Sequence, residues 1–234
     1  MPSIHLQLKK LTGTNMKIVH FKNLPNKSPF AANWDFYIME EMLADKIDVN
    51  MIADTILKKE KEIINQHEYT DDWGTGLGPN SLTSRSDSFN LLKWPEMHDL
   101  KLVIKNTYNQ FLTTIGMVPE KTIYLQCWAN VLRKGQDIKK HRHCDNVYTY
   151  LGGHICIKQQ STRTHYVHPY SNNVFSSKNE EGKITLFPNW IEHYTDTHQG
   201  DDERITIAFD INMKQAVDEA IEESKKDHWI TITD

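Results

Sequence analysis

The chain has 234 residues, a net charge of −4, 38% hydrophobic residues and three cysteines. That length and apolar content allow a substantial core, and the weak net charge excludes a global basic field aimed at nucleic acid or an anionic membrane. No stretch approaches the roughly 20 apolar residues of a membrane span. The first residues, MPSIHLQLKK, contain no apolar segment of the kind that marks secretion, and Cys127, Cys144 and Cys156 form no CxxC pair; a reducing, cytoplasmic setting is therefore expected.

In chain order, KIVHF (Lys17–Phe21) reads as a short strand followed by a loop rich in Asn and Pro. Helices are expected over Phe36–Asp45 and Asn50–Gln66, the second with Ile52, Ile56, Leu57, Ile63 and Ile64 as an apolar stripe among lysines. Residues 67–93 are rich in Gly, Asn, Ser and Asp and read as loop; SLTSRSDSFN within them is polar enough to face a substrate or plain solvent. Pro95 opens a further expected helix over Glu96–Ile115, with Leu100, Ile104, Tyr108 and Leu112 at helical spacing.

At Thr122 the period changes to two. Tyr124, Gln126, Trp128 and Asn130 share one face of a strand, and Leu125, Cys127, Ala129 and Val131 share the other. Further strands are expected at Lys140–Asp145, His154–Lys158, Thr164–Val167, Lys183–Phe187 and Arg204–Asn212. A helix over Lys214–Lys226 and an edge strand in HWITIT close the chain. Helices followed by short strands point to an α+β fold, with helices packed on an antiparallel sheet or barrel. With no linker-like segment, the chain reads as one domain over 1–234: a mainly helical part over 1–121, a strand-rich core over 122–212 and a helix with its tail over 213–234.

Seven of the twelve histidines fall between positions 141 and 198. In HRHCD, His141 and His143 stand two apart, so on a strand both face one side and can share a metal; Asp145 shares that face if the strand continues. His193, in LFPNWIEH, supplies a third ligand from a distant strand and leaves the other coordination positions open. A structural zinc site would instead be closed by four ligands, usually with cysteines, and Cys144 alternates away from the pair. In DERITIAFD, Arg204, Thr206, Ala208 and Asp210 share one strand face, and Ile205, Ile207, Phe209 and Ile211 share a core face. A guanidinium turned into a barrel is costly unless an anion meets it, and a carboxylate matches its fork. The plainer alternative pairs Arg204 with Asp201, Asp202 or Glu203 at the strand end.

This pattern resembles the Fe(II)/2-oxoglutarate-dependent oxygenases of the prolyl-hydroxylase-like branch. The carrying features are Gly135 in GQDIKKH, HRH, and His193 followed by Arg204 and Thr206. WANVLRKG, LFPNWIEH and DERITIAFD narrow the likeness to a bacterial and phage group with an H-x-H motif, over roughly residues 122–212. The resemblance implies a double-stranded β-helix, a jelly-roll barrel buttressed by N-terminal helices, with Fe(II) in its mouth. It implies 2-oxoglutarate and dioxygen as cosubstrates and a hydroxylase that couples oxidation of an unnamed prime substrate to decarboxylation of 2-oxoglutarate to succinate. His141, His143 and His193 would hold the metal, with Asp145 the alternative second ligand where most relatives carry H-x-D. Arg204 and Thr206 would hold the far carboxylate of 2-oxoglutarate, with Asn130, Trp128 and Tyr150 beside it. No catalytic residue beyond the metal site is implied. The rival expectations are a cupin-like metal protein or metalloenzyme that does not use 2-oxoglutarate, and a non-catalytic binding module.

Overall fold

A computed structural model describes residues 5–10, 15–23, 25–43, 46–144, 146–158, 161–169 and 173–233, with the backbone alone for 5–10 and 224. Its strands are β1 (His5–Lys10), β2 (Met16–Lys22), β3 (Asp35–Met42), β4 (Thr122–Leu132), β5 (Leu151–Lys158), β6 (Arg163–Val167), β7 (Val174–Lys178), β8 (Lys183–Pro188), β9 (His193–Thr195), β10 (Arg204–Asn212) and β11 (Ile230–Thr233). The helices are α1 (Val49–Gln66), α2 (His98–Thr114), α3 (Lys214–Ala220) and α4 (Glu223–Lys226). An eight-stranded sheet runs β1-β2-β3-β8-β5-β10-β4-β11, and a smaller sheet runs β7-β6-β9. Every pairing between these strands is antiparallel.

Two helices cover one face of the large sheet. Asp48 caps α1 by accepting from the Met51 amide at 3.0 Å, and Ile52, Ile56 and Ile63 turn inward. A turn of 3₁₀ helix at Pro95–Met97 leads into α2, which buries Leu100, Ile104, Tyr108, Phe111 and Leu112. These meet Leu125, Cys127, Ala129 and Val131 of β4 and Ile205, Ile207, Phe209 and Ile211 of β10 in one core cluster. Glu60 on α1, buried at its inner end, takes both Arg133 nitrogens at 2.8 and 2.6 Å and ties the helix to the end of β4. With that face of β4 and β10 sealed, their other face is left to line a cavity.

Three expectations are corrected. The helix expected over Phe36–Asp45 is a strand where it is described: residues 35–42 form β3, paired with β2 and β8, and residues 44 and 45 lie outside the described residues. Glu40, Glu41 and Met42 are good helix formers, but a place inside the sheet overrides that preference. Both glutamates have partners there: Glu40 binds Lys17 at 2.7 Å and the Ser177 hydroxyl, and Glu41 binds Lys46 at 2.9 Å. The part before residue 122 therefore carries three strands beside its two helices, and those strands extend the large sheet. Lys140–Asp145 forms no continuous strand; His141 alone makes a ladder pair, and Asp145 lies outside the described residues. The expected helix over 214–226 breaks into α3 and α4, because Ile221 and Glu222 are extended and Ile221 turns to the cavity. The edge strand in HWITIT is present as β11, on β4. Among the described residues no helix is long and apolar enough to cross a membrane.

Ile104, fully buried between α2 and the sheet, should be a sensitive reporter of this packing. Ile104→Ala is expected to cost about 2–5 kcal/mol in urea unfolding, the range for a large core side chain cut to alanine; a loss under about 0.5 kcal/mol would contradict the packing.

Candidate functional site

Two backbone hydrogen bonds set the geometry. The His141 amide donates to the His193 carbonyl at 3.0 Å, and the His193 amide donates back to His141 at 2.9 Å. Residues directly opposite in an antiparallel pair project to the same side. Two residues on, the His143 amide donates to the Asn189 carbonyl at 3.0 Å. The outcome is a triangle of imidazoles with centroids 4.4, 5.1 and 5.5 Å apart. One nitrogen from each of His141, His143 and His193 lies within 4.8 Å of the other two.

Hydrogen bonds decide which nitrogen that is. His141 Nδ1 meets the Lys139 carbonyl at 2.8 Å, His193 Nδ1 meets the Ile191 carbonyl at 3.0 Å, and His143 Nδ1 meets Asp210 Oδ1 at 2.6 Å. Carbonyl oxygen can only accept, so the first two rings carry their proton on Nδ1, and the carboxylate asks the same of the third. Three Nε2 lone pairs remain for a metal. Burial, followed by the charge of His143, lowers the His141 pKa to about 4. Burial, with His141 and His143, holds His193 well below its usual value. Both rings are thus neutral near pH 7, the form a metal needs. A cluster of three imidazoles facing one point, with their other nitrogens anchored, fits a divalent transition metal with coordination positions to spare.

The triad opens on a cavity of about 330 Å³, lined also by Gln126, Trp128, Asn130, Arg204 and Thr206. Arg204 is 1% exposed, and among the described residues its Nε and Nη1 have no hydrogen-bond partner. Of the strand-end carboxylates, Asp201 pairs with Lys134 at 2.6 Å and Glu203 with Lys158 at 3.5 Å, while Asp196 acts on the guanidinium through its charge. A buried cation with unmet donors in a cavity fits an anion, and a planar carboxylate fits the fork best. Thr206 is two residues along the same strand face, opposite Asn130 on β4.

Of the residues expected here, the structure brings together His141, His143, His193, Arg204, Thr206, Asn130 and Trp128. Trp128 packs its ring 5.7 Å from that of His143. Tyr150 is not brought to the cavity wall; its hydroxyl lies 2.7 Å from that of Tyr108, in the core beneath α2. Tyr148 does line the cavity, and its hydroxyl donates to Glu219 at 2.7 Å. His165 is held by Ser176 and Asp196 on the outer sheet.

Sequence reasoning gave no role to Asp210 and Gly152, and left the SLTSRSDSFN loop open between substrate and solvent. Asp210 holds His143. Gly152 makes room for that contact: a Cβ there would lie 2.2 Å from Asn189 Oδ1 and 3.2 Å from both Asp210 Oδ1 and His143 Nδ1. The loop over 67–93 closes on the cavity, where Thr83 donates to Asn130 Oδ1, Ser86 O accepts from Gln126 at 2.9 Å, and Thr75 O accepts from Lys139 at 2.8 Å. Within it Trp73 adopts φ 53°, uncommon for a bulky residue, and reaches the cavity mouth. Asp210 had a signal in its alternation with Arg204 and Thr206, and the loop had one in its polar composition.

Residues 126–210 match a family model described as "Putative 2OG-Fe(II) oxygenase". No curated protein matches the chain by sequence. Among solved structures, AviO1 from Streptomyces viridochromogenes Tue57 is similar with a TM-score of 0.52 and 11% identity, over 76% of this chain and 90% of that one. The non-heme alpha ketoglutarate dependent carbocyclase SnoK from nogalamycin biosynthesis is similar with a TM-score of 0.51 and 10% identity, over 75% of this chain and 79% of that one. At these identities the structural likeness speaks for the fold.

The buried histidines make stability depend on pH. His154, inside the cavity wall, is lowered to about 3 by burial and then by Arg204, and His141 is lowered to about 4. The unfolded chain therefore binds protons below about pH 6.5 that the folded chain refuses until lower pH, so stability falls as pH falls through that window. Urea midpoints of the metal-free protein are expected to drop steadily from pH 7 to pH 4, and His154→Gln should flatten the slope if it folds. An unchanged midpoint across that range in the parent protein would contradict the buried neutral histidines.

Proposed function

We propose, on the match of residues 126–210 to the family model of putative 2OG-Fe(II) oxygenases, that His141, His143 and His193 hold the iron and Arg204 the cosubstrate of a hydroxylase. The enzyme is a 2-oxoglutarate-dependent non-haem iron oxygenase; hydroxylation of a prime substrate, with 2-oxoglutarate decarboxylated to succinate, is the reaction proposed for it. Bound Fe(II) and 2-oxoglutarate supply the activation of dioxygen and its delivery to the substrate. The protein's own groups bind, orient and seclude.

The observation that carries this reading is the buried, unmet guanidinium in the same cavity as the histidine triad. A metal-binding barrel without an anionic cosubstrate gives no reason to bury Arg204. Arg204 would hold the far carboxylate of 2-oxoglutarate through its unmet Nε and Nη1, with the Thr206 hydroxyl beside it as a further donor. Asn130, anchored by Thr83, and Trp128, packed on His143, shape the wall beside it. Phe187, Ile138 and Ala208 provide apolar cover that keeps water from the reacting centre. The two sheets, facing each other across this cavity, are proposed to form the double-stranded β-helix of such enzymes. The three free cysteines fit a reducing, cytoplasmic setting.

Anaerobic titration with Fe(II) and then 2-oxoglutarate tests the reading. A visible charge-transfer band is expected only with both present, and succinate is expected once air enters. Arg204→Ala should weaken 2-oxoglutarate binding about 10- to 100-fold, the loss of a charged hydrogen-bond pair, while Fe(II) binding stays. Unchanged 2-oxoglutarate binding in that variant would favour the metalloprotein that uses no such cosubstrate.

A further inference from the structure

Three neutral imidazoles give a metal no formal negative charge, whereas the two-histidine, one-carboxylate arrangement gives it one. We propose that Asp210 supplies that charge through His143, acting as a positioning residue one imidazole removed from the metal. The inference rests on the three-histidine reading and goes beyond it.

The hydrogen bonds behind the triad are unequal. His141 and His193 each rest on a backbone carbonyl two residues earlier in the chain, a neutral acceptor supplied by the local fold. His143 rests on a carboxylate 67 residues away in sequence. Among the described residues no other carboxylate is hydrogen-bonded to a ring of the triad. The contact is short, 2.6 Å, and both side chains are largely shielded, at 7% and 17% exposure. In such surroundings a carboxylate accepting from Nδ1–H pushes electron density onto Nε2 and fixes the ring's tautomer and tilt.

The surrounding fold keeps this contact in place. Asp210 sits on β10 opposite Gly152 of β5 and Gln126 of β4. Any side chain at 152 would press on Asn189, Asp210 and His143 together. The Asn189 carbonyl holds the backbone at His143, and Trp128 and Phe187 pack around the ring. The ring is thus confined from the backbone, from two aromatic neighbours and from Nδ1. One strand face carries both ends of the chemistry: Arg204 for an anion at its start and Asp210 for the metal's charge six residues later, about 20 Å along an extended strand.

The test measures Co(II) affinity of the metal-free full chain by chelator competition, for the parent, His193→Ala, Asp210→Asn and Asp210→Ala. The parent should bind and His193→Ala should not. Asp210→Asn leaves an oxygen able to accept from Nδ1 but removes the charge; about a tenfold loss is expected for it, and up to a hundredfold for Asp210→Ala. With Fe(II) at saturation, the 2-oxoglutarate charge-transfer band of Asp210→Asn should shift from the parent's position, which loosened packing alone would not produce. The circular dichroism of the metal-free variants should match the parent, and if Asp210→Ala fails to fold, Asp210→Asn carries the comparison. Binding within twofold of the parent and an unshifted band in Asp210→Asn would overturn the role of Asp210 while leaving the triad intact. A parent that does not bind, or a His193→Ala variant that still does, would overturn the triad and this inference together.

Discussion

The reciprocal pair of backbone hydrogen bonds between His141 and His193 is the constraint on which the site depends. It joins two segments 52 residues apart and sets their imidazoles on one side of the chain. The pairing continues on both sides: His143 donates to Asn189 on one, and on the other Thr195 donates to Ile138, His198 to Gln136, and Gly135 back to His198 at 2.7 Å. Gly135 turns the chain with φ 86°, where a side chain would be strained. The whole segment from 135 to 143 is therefore laid along the segment from 189 to 198, and the metal-binding geometry follows from backbone pairing before any metal arrives. Side-chain burial then keeps the rings neutral, and acceptors behind Nδ1 select the nitrogen that remains free.

Strand β10 organises the rest. Its inner face is apolar and anchors the large sheet to α1 and α2, while the alternate residues carry a cation, a hydroxyl, a methyl and a carboxylate into the cavity. Burying Arg204 with unmet donors costs folding free energy. An anion bound there, as proposed, would offset that cost and link ligand binding to stability through this one side chain. The helical layer packs on the opposite face of the strand while it presents charged groups to the cavity.

The features read directly from the sequence were those with a strong period. Thr122–Leu132 and Arg204–Asn212 alternate cleanly, and the amphipathic stripes of α1 and α2 are regular. The two faces of β10 were assigned correctly for the same reason. The failures share a physical cause. Residues 36–42 lie inside a sheet with both faces covered, so no alternation shows, and their buried glutamates depend on Lys17, Ser177 and Lys46, which no local pattern announces. The HRHCD segment makes one ladder pair only, so strand alternation was the wrong reason for bringing His141 and His143 together; the pairing to His193 and Asn189 does it instead. Tyr150 was expected beside the cosubstrate through the resemblance, but packing brings its hydroxyl to that of Tyr108. The role of Gly152 is legible only once Asn189, Asp210 and His143 are seen around it.

The central claim is that iron is held by three imidazoles and no protein carboxylate. X-ray absorption of the Fe(II)-loaded protein tests it most directly, because multiple scattering from imidazole rings counts them. Three imidazoles at about 2.0–2.1 Å, by analogy with other metal–histidine bonds, with the remaining scatterers accounted for by water or 2-oxoglutarate, is the predicted result. Two imidazoles, with the third position taken by an oxygen that persists when 2-oxoglutarate is added and disappears in Asp145→Ala, would contradict it.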